Sequence, residues 1–243
     1  MSTFNDTEEH LFEDLLQRIS HLRDTDNHLA ERVSTSLSIL DQAFSQFDVS
    51  TVVLSFNGGK DNTVAVFLTF YYFLLTNSKS LRQSGKPPSS VLNVYFFHVN
   101  ETFPEMLQYM EEVAHLYSFS VCQLSGSFKE CLSLLQSKGV NAVITGLRRT
   151  DPYSMNISSI AESTVGWPSI TRISPVLDWS YHDVWSFILK ARIPYCKLYQ
   201  DGYTSLGSPS QTMPNSSLLL PCGKRYLHAC FLQNSEEERL GRL

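Results

Sequence analysis

No two cysteines in this 243-residue chain are spaced as C-x-x-C, and the five present, Cys122, Cys131, Cys196, Cys222 and Cys230, are an odd number. A disulfide framework and a structural zinc site are therefore disfavoured, and reduced thiols point to a cytoplasmic protein. Long hydrophobic runs are also missing. The most apolar stretch, residues 64–75, is too short and too aromatic to span a bilayer. The first fourteen residues are acidic and lack the basic-then-apolar order of a signal peptide. There is no excess of basic charge either. A net charge of −5 argues against nucleic acid as the main partner and leaves only the short clusters Arg148-Arg149 and Lys224-Arg225. No internal repeat and no linker interrupts the chain, so residues 1–243 are read as a single domain.

What is present is an alternation of apolar runs. In residues 5–46, Leu11, Leu15, Ile19 and Leu22, then Leu29, Val33, Leu37 and Leu40, recur at three- and four-residue spacing. Asp24-Thr25-Asp26-Asn27 reads as a break and cap between two helices. This lead-in, residues 1–47, is expected to pack on the core, with an amphipathic partner-binding helix as the alternative. Strands are expected at 50–55, 91–99, 119–124 and 141–145. Helices are expected between them at 61–76, 102–117 and 128–137, the second capped by Thr102 with Pro104 in its first turn. Gly85, Pro87 and Pro88 mark residues 78–90 as a polar loop. Such alternation implies an α/β fold, a mostly parallel sheet with helices on both faces. After the core, residues 48–178, comes a C-terminal extension, 179–243. Around that boundary the pattern loosens into a Pro-interrupted strand at 171–176, a helix over 180–190 capped by Asp178, a mobile polar loop at 208–217 and a short charged tail.

The chain is organised around residues 52–61, Val-Val-Leu-Ser-Phe-Asn-Gly-Gly-Lys-Asp. An apolar strand ends in two glycines, and an apolar helix follows. Glycines let a backbone approach a ligand closely, and the free N–H groups of the following helix face any anion in the turn. The stretch is thus read as a nucleotide triphosphate site. It is not a Walker A loop: Leu54 stands where that motif needs Gly, and Asp61 where it needs Ser or Thr. In such sheets ligands gather beyond the strand carboxyl ends, where both this turn and Gly146-Leu147-Arg148-Arg149 are expected.

Ser55-Phe56-Asn57-Gly58-Gly59-Lys60-Asp61 resembles the PP-loop of the ATP pyrophosphatase superfamily, whose fold is called adenine nucleotide alpha-hydrolase-like. Asn57 narrows the resemblance to the eukaryotic flavin-adenine-dinucleotide (FAD) synthetase branch, related to phosphoadenylylsulfate (PAPS) reductase. Further stretches are similar to that branch in the same order: Glu101-Thr102-Phe103-Pro104, Gly146-Leu147-Arg148-Arg149-Thr150-Asp151-Pro152, residues 175–185, residues 193–207, and Glu238-Arg239-Leu240-Gly241-Arg242. Two positions depart from it. Asn62 replaces the Ser or Cys often found there, and Thr164 stands where some members have an acid three residues before Trp167.

The resemblance implies a single-domain, fungal-type FMN adenylyltransferase, with no molybdopterin-type domain: AMP passes from ATP to FMN, giving FAD and pyrophosphate, with Mg²⁺ as cofactor. It assigns catalysis to Asn57, Asp61, Asp151 and Arg239. ATP is assigned to Ser55, Asn57, Gly58, Gly59, Lys60, Asp61 and Gly146, and FMN to Arg148, Arg149, Asp151, Trp167 and Arg242. Asp61, and more weakly Asp151, are the expected Mg²⁺ ligands. Whether the Lys60 side chain helps at the phosphates or points away is left open. Arg239 and Arg242, three apart, are expected on one helical face. His98 and His182 are read as structural, and Cys222 as a buried thiol. A monomer is expected, with flavoproteins as acceptors of its product and neither nucleic acid nor membrane as partner. The alternatives are a PAPS reductase-type enzyme, whose reactive Cys lacks its usual sequence context here, and a nonenzymatic nucleotide or flavin binder.

Overall fold

The computed structural model describes residues 6–84, 92–98, 101–221 and 223–243, with side chains of residues 10–76 in the first segment. In chain order the elements are α1 (Asp6–Thr25), α2 (Asn27–Gln46), β1 (Val52–Ser55), α3 (Lys60–Ser84), β2 (Asn93–His98), α4 (Pro104–Leu116), β3 (Val121–Ser125), α5 (Phe128–Ser137), β4 (Ala142–Ile144), β5 (Ile160–Ala161), β6 (Thr171–Ile173) and α6 (Tyr181–Lys190). Beyond α6 the extension is built around short 3-10 turns. The six strands lie in the order β3-β2-β1-β4-β6-β5. All neighbours are parallel except β5 and β6.

The period of the strands divides the core into two unequal layers. Val52 and Leu54 of β1, with Ala142 and Ile144 of β4, face the larger cluster built with α1–α4 and α6. The alternate residues Val53 and Val143 face the smaller one, with Cys131, Leu132 and Leu135 of α5. The chain leaves β1 through α3 to β2 and through α4 to β3, then returns through α5 to β4 on the other side of β1. With right-handed crossovers, reversing direction moves the connecting helix to the opposite face. The same reversal opens a crevice beyond β1 and β4, and the site lies there.

The lead-in packs on the core as expected. Phe12, Leu15, Ile19 and Leu22 of α1 and Leu29, Val33, Leu40 and Ala43 of α2 are buried. Asp26 forms the break: its carboxylate accepts from Leu29 N, capping α2, and pairs with Lys190 at 2.6 Å. Arg18 Nη1 donates to the carbonyls of Ala191 and Arg192, so α1 satisfies the carboxyl end of α6.

Several boundaries differ from expectation. Helix α3 continues through Ser84, so part of the loop read at 78–90 is helical; residues 85–91, and Cys222, lie outside the described residues. Phe103 rather than Thr102 precedes the first turn of α4. Asp178 does not cap α6. Ser180 does, in a capping box with Asp183. The Pro-interrupted strand shrinks to Thr171–Ile173. The run 208–217 is tied down, with Asn215 fully buried and its Nδ2 donating to Thr204 Oγ1 and Glu237 O.

Candidate active site

Two glycines shape the crevice, for different reasons. Gly58 has φ +75°, and a Cβ there would lie 3.2 Å from the Met106 carbonyl. The turn is held open by Asn57, whose Oδ1 accepts from Gly59 N at 2.9 Å. Gly146, at the exit of β4, has no room for a side chain: its Cβ would fall 2.3 Å from Asn62 N. Asn62 Oδ1 accepts from Gly146 N, so the departure from the family pattern at position 62 fastens β4 to the start of α3. The cleft that results holds about 340 Å³. The open amino end of α3 forms one wall, and Lys60 N there donates to the buried hydroxyl of Tyr199 at 2.8 Å.

A layer of paired charge lies beneath this wall. Lys60 and Arg148 are only 2% and 1% exposed. Lys60 Nζ donates to Asp61 Oδ2 at 3.1 Å and to Glu238 Oε1 at 2.5 Å, and sits 5.2 Å from the centre of the Tyr181 ring. Arg148 Nη2 donates to both oxygens of Glu238, and its Nε pairs with Asp61 Oδ1 at 2.7 Å. Burial alone would push the Asp61 carboxyl up, but Lys60 and Arg148 together hold it below the usual carboxylate range. Asp151 shifts the other way. Burial and the carboxylates of Asp61 and Glu238 raise it, against the Arg148 N–H that its Oδ2 accepts at 2.9 Å.

The mouth of the cleft is different. Arg239 is half exposed, and its nearest acid, Asp151 Oδ1, is 3.6 Å away. Arg242 donates to the Leu206 carbonyl at 2.8 Å, with its guanidinium packed over Gly207. Burial and the neighbouring Arg239 lower its pKa. The two do not share a helical face as expected. Arg239 ends a 3-10 turn, Ser235–Arg239, whereas Arg242 pairs with Thr212 in a β-bridge. Both still line the cleft. Arg172 on β6 completes this side; its Nε is buried without a hydrogen-bond partner. Phe128, Thr145 and Arg172 also line an adjoining cavity of about 270 Å³, walled by Leu132, Val143, Thr164, Trp167 and Ile170.

Of the residues singled out in the sequence, Ser55, Asn57, Gly59, Lys60, Asp61, Gly146, Asp151, Arg239 and Arg242 line the cleft. Gly58 forms the turn behind it. Two of the FMN assignments change. Arg148 lies under the cleft on Glu238 and Asp61, so it does not line the place assigned to FMN. Arg149 leaves the site altogether: its Nε donates to Asp178 at 2.6 Å and its Nη1 to the Met155 and Ile157 carbonyls. Trp167 lies in the adjoining cavity, 6.3 Å from the Phe128 ring. His182 accordingly has a structural bond, to the Leu232 carbonyl. The sequence reading missed Glu238, Tyr199, Asn62, Phe128 and Arg172. Glu238 carried a signal as the first residue of the closing motif, Tyr199 as part of the run 193–207 and Asn62 as a departure from the family pattern, whereas Phe128 and Arg172 carried none.

Among the described residues, no three acidic, histidine or cysteine side chains gather as a metal site. Mg²⁺ usually needs only one or two carboxylates when phosphates supply the rest. Asp61 Oδ2 accepts from Lys60 Nζ, while its Oδ1 lies 2.7 Å from Arg148 Nε without a hydrogen bond, and Asp151 Oδ1 has only the long Arg239 contact. The donor set therefore fits Mg²⁺ arriving with phosphates, with Asp61 and Asp151 as the carboxylates that would hold it.

Comparison with known proteins places this geometry in context. The model for the phosphoadenosine phosphosulfate reductase domain matches residues 128–214. A probable FAD synthase of Schizosaccharomyces pombe is 35% identical over 216 residues, 88% of this chain and 80% of that protein. A probable FAD synthase of Caenorhabditis elegans is 32% identical over 87% of this chain, which spans only 40% of that longer protein. In structure, the chain is similar to Candida glabrata FMN adenylyltransferase in complex with FMN and the ATP analogue AMPCPP. The TM-score is 0.83 over 95% of this chain and 98% of that one, at 23% identity, which speaks to the fold.

Proposed function

The chain belongs to the FAD synthase family, and on that premise we propose that it is an FMN adenylyltransferase, transferring AMP from ATP to FMN to form FAD and pyrophosphate. The observation that carries this reading is the adjacency of two unlike cavities. A cleft lined by many charged and polar side chains at the amino end of α3 shares Phe128, Thr145 and Arg172 with a largely apolar cavity at Trp167. The first suits a triphosphate and the second a flat aromatic ring system, with the junction where their phosphates would meet.

The chemistry asks little covalent help of the protein. An FMN phosphate oxygen attacks the α-phosphorus of ATP. A new P–O bond forms, the bond to the bridging oxygen breaks, and pyrophosphate leaves with that electron pair. The nucleophile is already an anion at neutral pH, so no general base is needed. The difficulty is bringing two anions together, which positioning and fixed positive charge overcome. Arg239 and Arg242 at the mouth and the N–H groups of α3 supply that charge. Arg suits phosphate through its planar, multiply donating guanidinium. Asp61 and Asp151 would hold Mg²⁺ together with ATP, and the metal would neutralise phosphate charge. A reductase would need a reactive thiol, and none of the described cysteines lines either cavity.

The test is purified protein with Mg²⁺, ATP and FMN, assayed for FAD and pyrophosphate, with GTP, CTP and riboflavin as controls. FAD from the ATP–FMN pair alone is expected. If neither FAD nor FMN binding is seen, the reading fails.

A further inference from the structure

We propose that Glu238 is a positioning residue for this transfer. It holds Lys60 and Arg148 beneath the turn, so that the lysine named by the loop motif is not a phosphate ligand, and it anchors the tail from which Arg239 and Arg242 reach the cleft. The inference rests on the adenylyl-transfer reading and adds a role for a side chain outside the cleft lining.

The geometry argues for both halves. Lys60 lines the cleft, yet its Nζ is committed to Asp61 and Glu238 and faces the Tyr181 ring, in a side chain 2% exposed. Turning it towards a phosphate would strip a cation from Glu238, itself 8% exposed, and breaking a buried pair is costly. The four groups also cancel: Lys60 and Arg148 contribute two positive charges, Asp61 and Glu238 two negative. The layer under the turn therefore offers a triphosphate no net charge, and the task falls to the mouth arginines.

Glu238 is the tail residue that reaches this layer. Its own carbonyl accepts from the buried Thr204 hydroxyl at 2.7 Å. Its neighbour Arg239 lines the cleft, and the Arg239 carbonyl accepts from Arg242 N at 2.9 Å. Fixing the Glu238 carboxylate thus fixes the backbone from which both arginines project.

The experiment compares Lys60→Met, Glu238→Gln and the double variant in the full chain. Binding of a nonhydrolysable ATP analogue is measured by calorimetry, and FAD formation is resolved into kcat and KM for each substrate. Lys60→Met is expected to change analogue affinity less than threefold. Glu238→Gln is expected to lower kcat at least tenfold and raise the FMN KM, and the double variant to be no worse than Glu238→Gln. A tenfold or greater loss of analogue binding in Lys60→Met would overturn the proposal, as would single effects that multiply in the double variant. Should Glu238→Gln not fold, Glu238→Asp keeps the charge one carbon short; normal kcat and KM in that folded variant also overturn it. If the wild-type protein makes no FAD, the adenylyl-transfer reading fails, while the analogue binding still decides the place of Lys60.

Discussion

Arg148 and Arg149 are adjacent in one motif, yet the first is buried on two carboxylates while the second lies at the surface on Asp178. The same contrast separates the layer under the turn from the mouth of the cleft. Under the turn every charge has a buried partner; at the mouth, Arg239 has one acid at 3.6 Å and Arg242 has only uncharged acceptors. A cation already matched by a buried carboxylate shapes the site, and an under-used cation beside a cleft is available to a substrate. Position relative to the sheet, not residue type, separates the two.

The largest effect should follow from breaking the buried layer. Arg148→Ala removes a cation from Glu238 and Asp61 together, and losing one partner of a buried pair costs about 3–5 kcal/mol. Urea denaturation is expected to show a loss of that size, with turnover lost as well. A stability change under about 1 kcal/mol would mean that the layer is solvated and the contrast with the mouth false.

Second in size, on activity rather than stability, is Arg239→Ala. The side chain is half exposed, so unfolding should shift by no more than about 0.5 kcal/mol. If it meets charge developing at the phosphates, kcat should fall roughly 10²–10³-fold, the usual consequence of removing one such donor. A fall in stability without a fall in kcat would move Arg239 from the mouth to the layer below.

The extent to which this was legible in the sequence follows the same division. The Gly58-Gly59 turn, the strand alternation and the α2 cap at Asp26 are local, set by spacing and by the conformational freedom of glycine, and could be read directly. Gly146 and Gly241 were visible as motif letters, but their reason is tertiary: a Cβ at Gly241 would fall 2.2 Å from the Met213 carbonyl. The charged layer was not legible. Glu238 meets Lys60 across 178 residues and Arg148 across 90, and no periodicity encodes such a pairing. Thus the sequence named Lys60 without saying where it points. The polar run 208–217 looked mobile for a similar reason, because Asn215 finds its partners at Thr204 and Glu237 only after the tail has folded back.

A third, smaller effect sharpens the comparison at the adjoining cavity. Trp167 is 43% exposed beside Phe128. If a flavin ring packs there, Trp167→Ala should weaken FMN binding by about tenfold, in keeping with roughly 0.5–1.5 kcal/mol for an aromatic pair beyond the area it buries. The ATP KM should not change, because the ring lines only the apolar cavity. Equal effects on both substrates would show that the two cavities do not divide the substrates between them.

The smallest effect is expected at Arg149, where the contrast within the dipeptide is sharpest. Its pairing with Asp178 involves side chains 39% and 50% exposed, so the Coulombic gain is screened by solvent and the pair should be worth about 0–1 kcal/mol. The guanidinium also holds the carbonyls of Met155 and Ile157, in the segment leading to β5, one of the two edge strands of the sheet. Arg149→Ala should therefore loosen that segment, read as faster amide exchange in residues 153–161, while FMN KM and kcat stay at wild-type values. A rise of tenfold or more in FMN KM would return Arg149 to the site and require its side chain to leave Asp178 when substrate binds. The same measurement on Arg148→Lys tells the neighbours apart: the charge is kept but the forked contact to Glu238 is lost, so kcat should fall there and not at position 149.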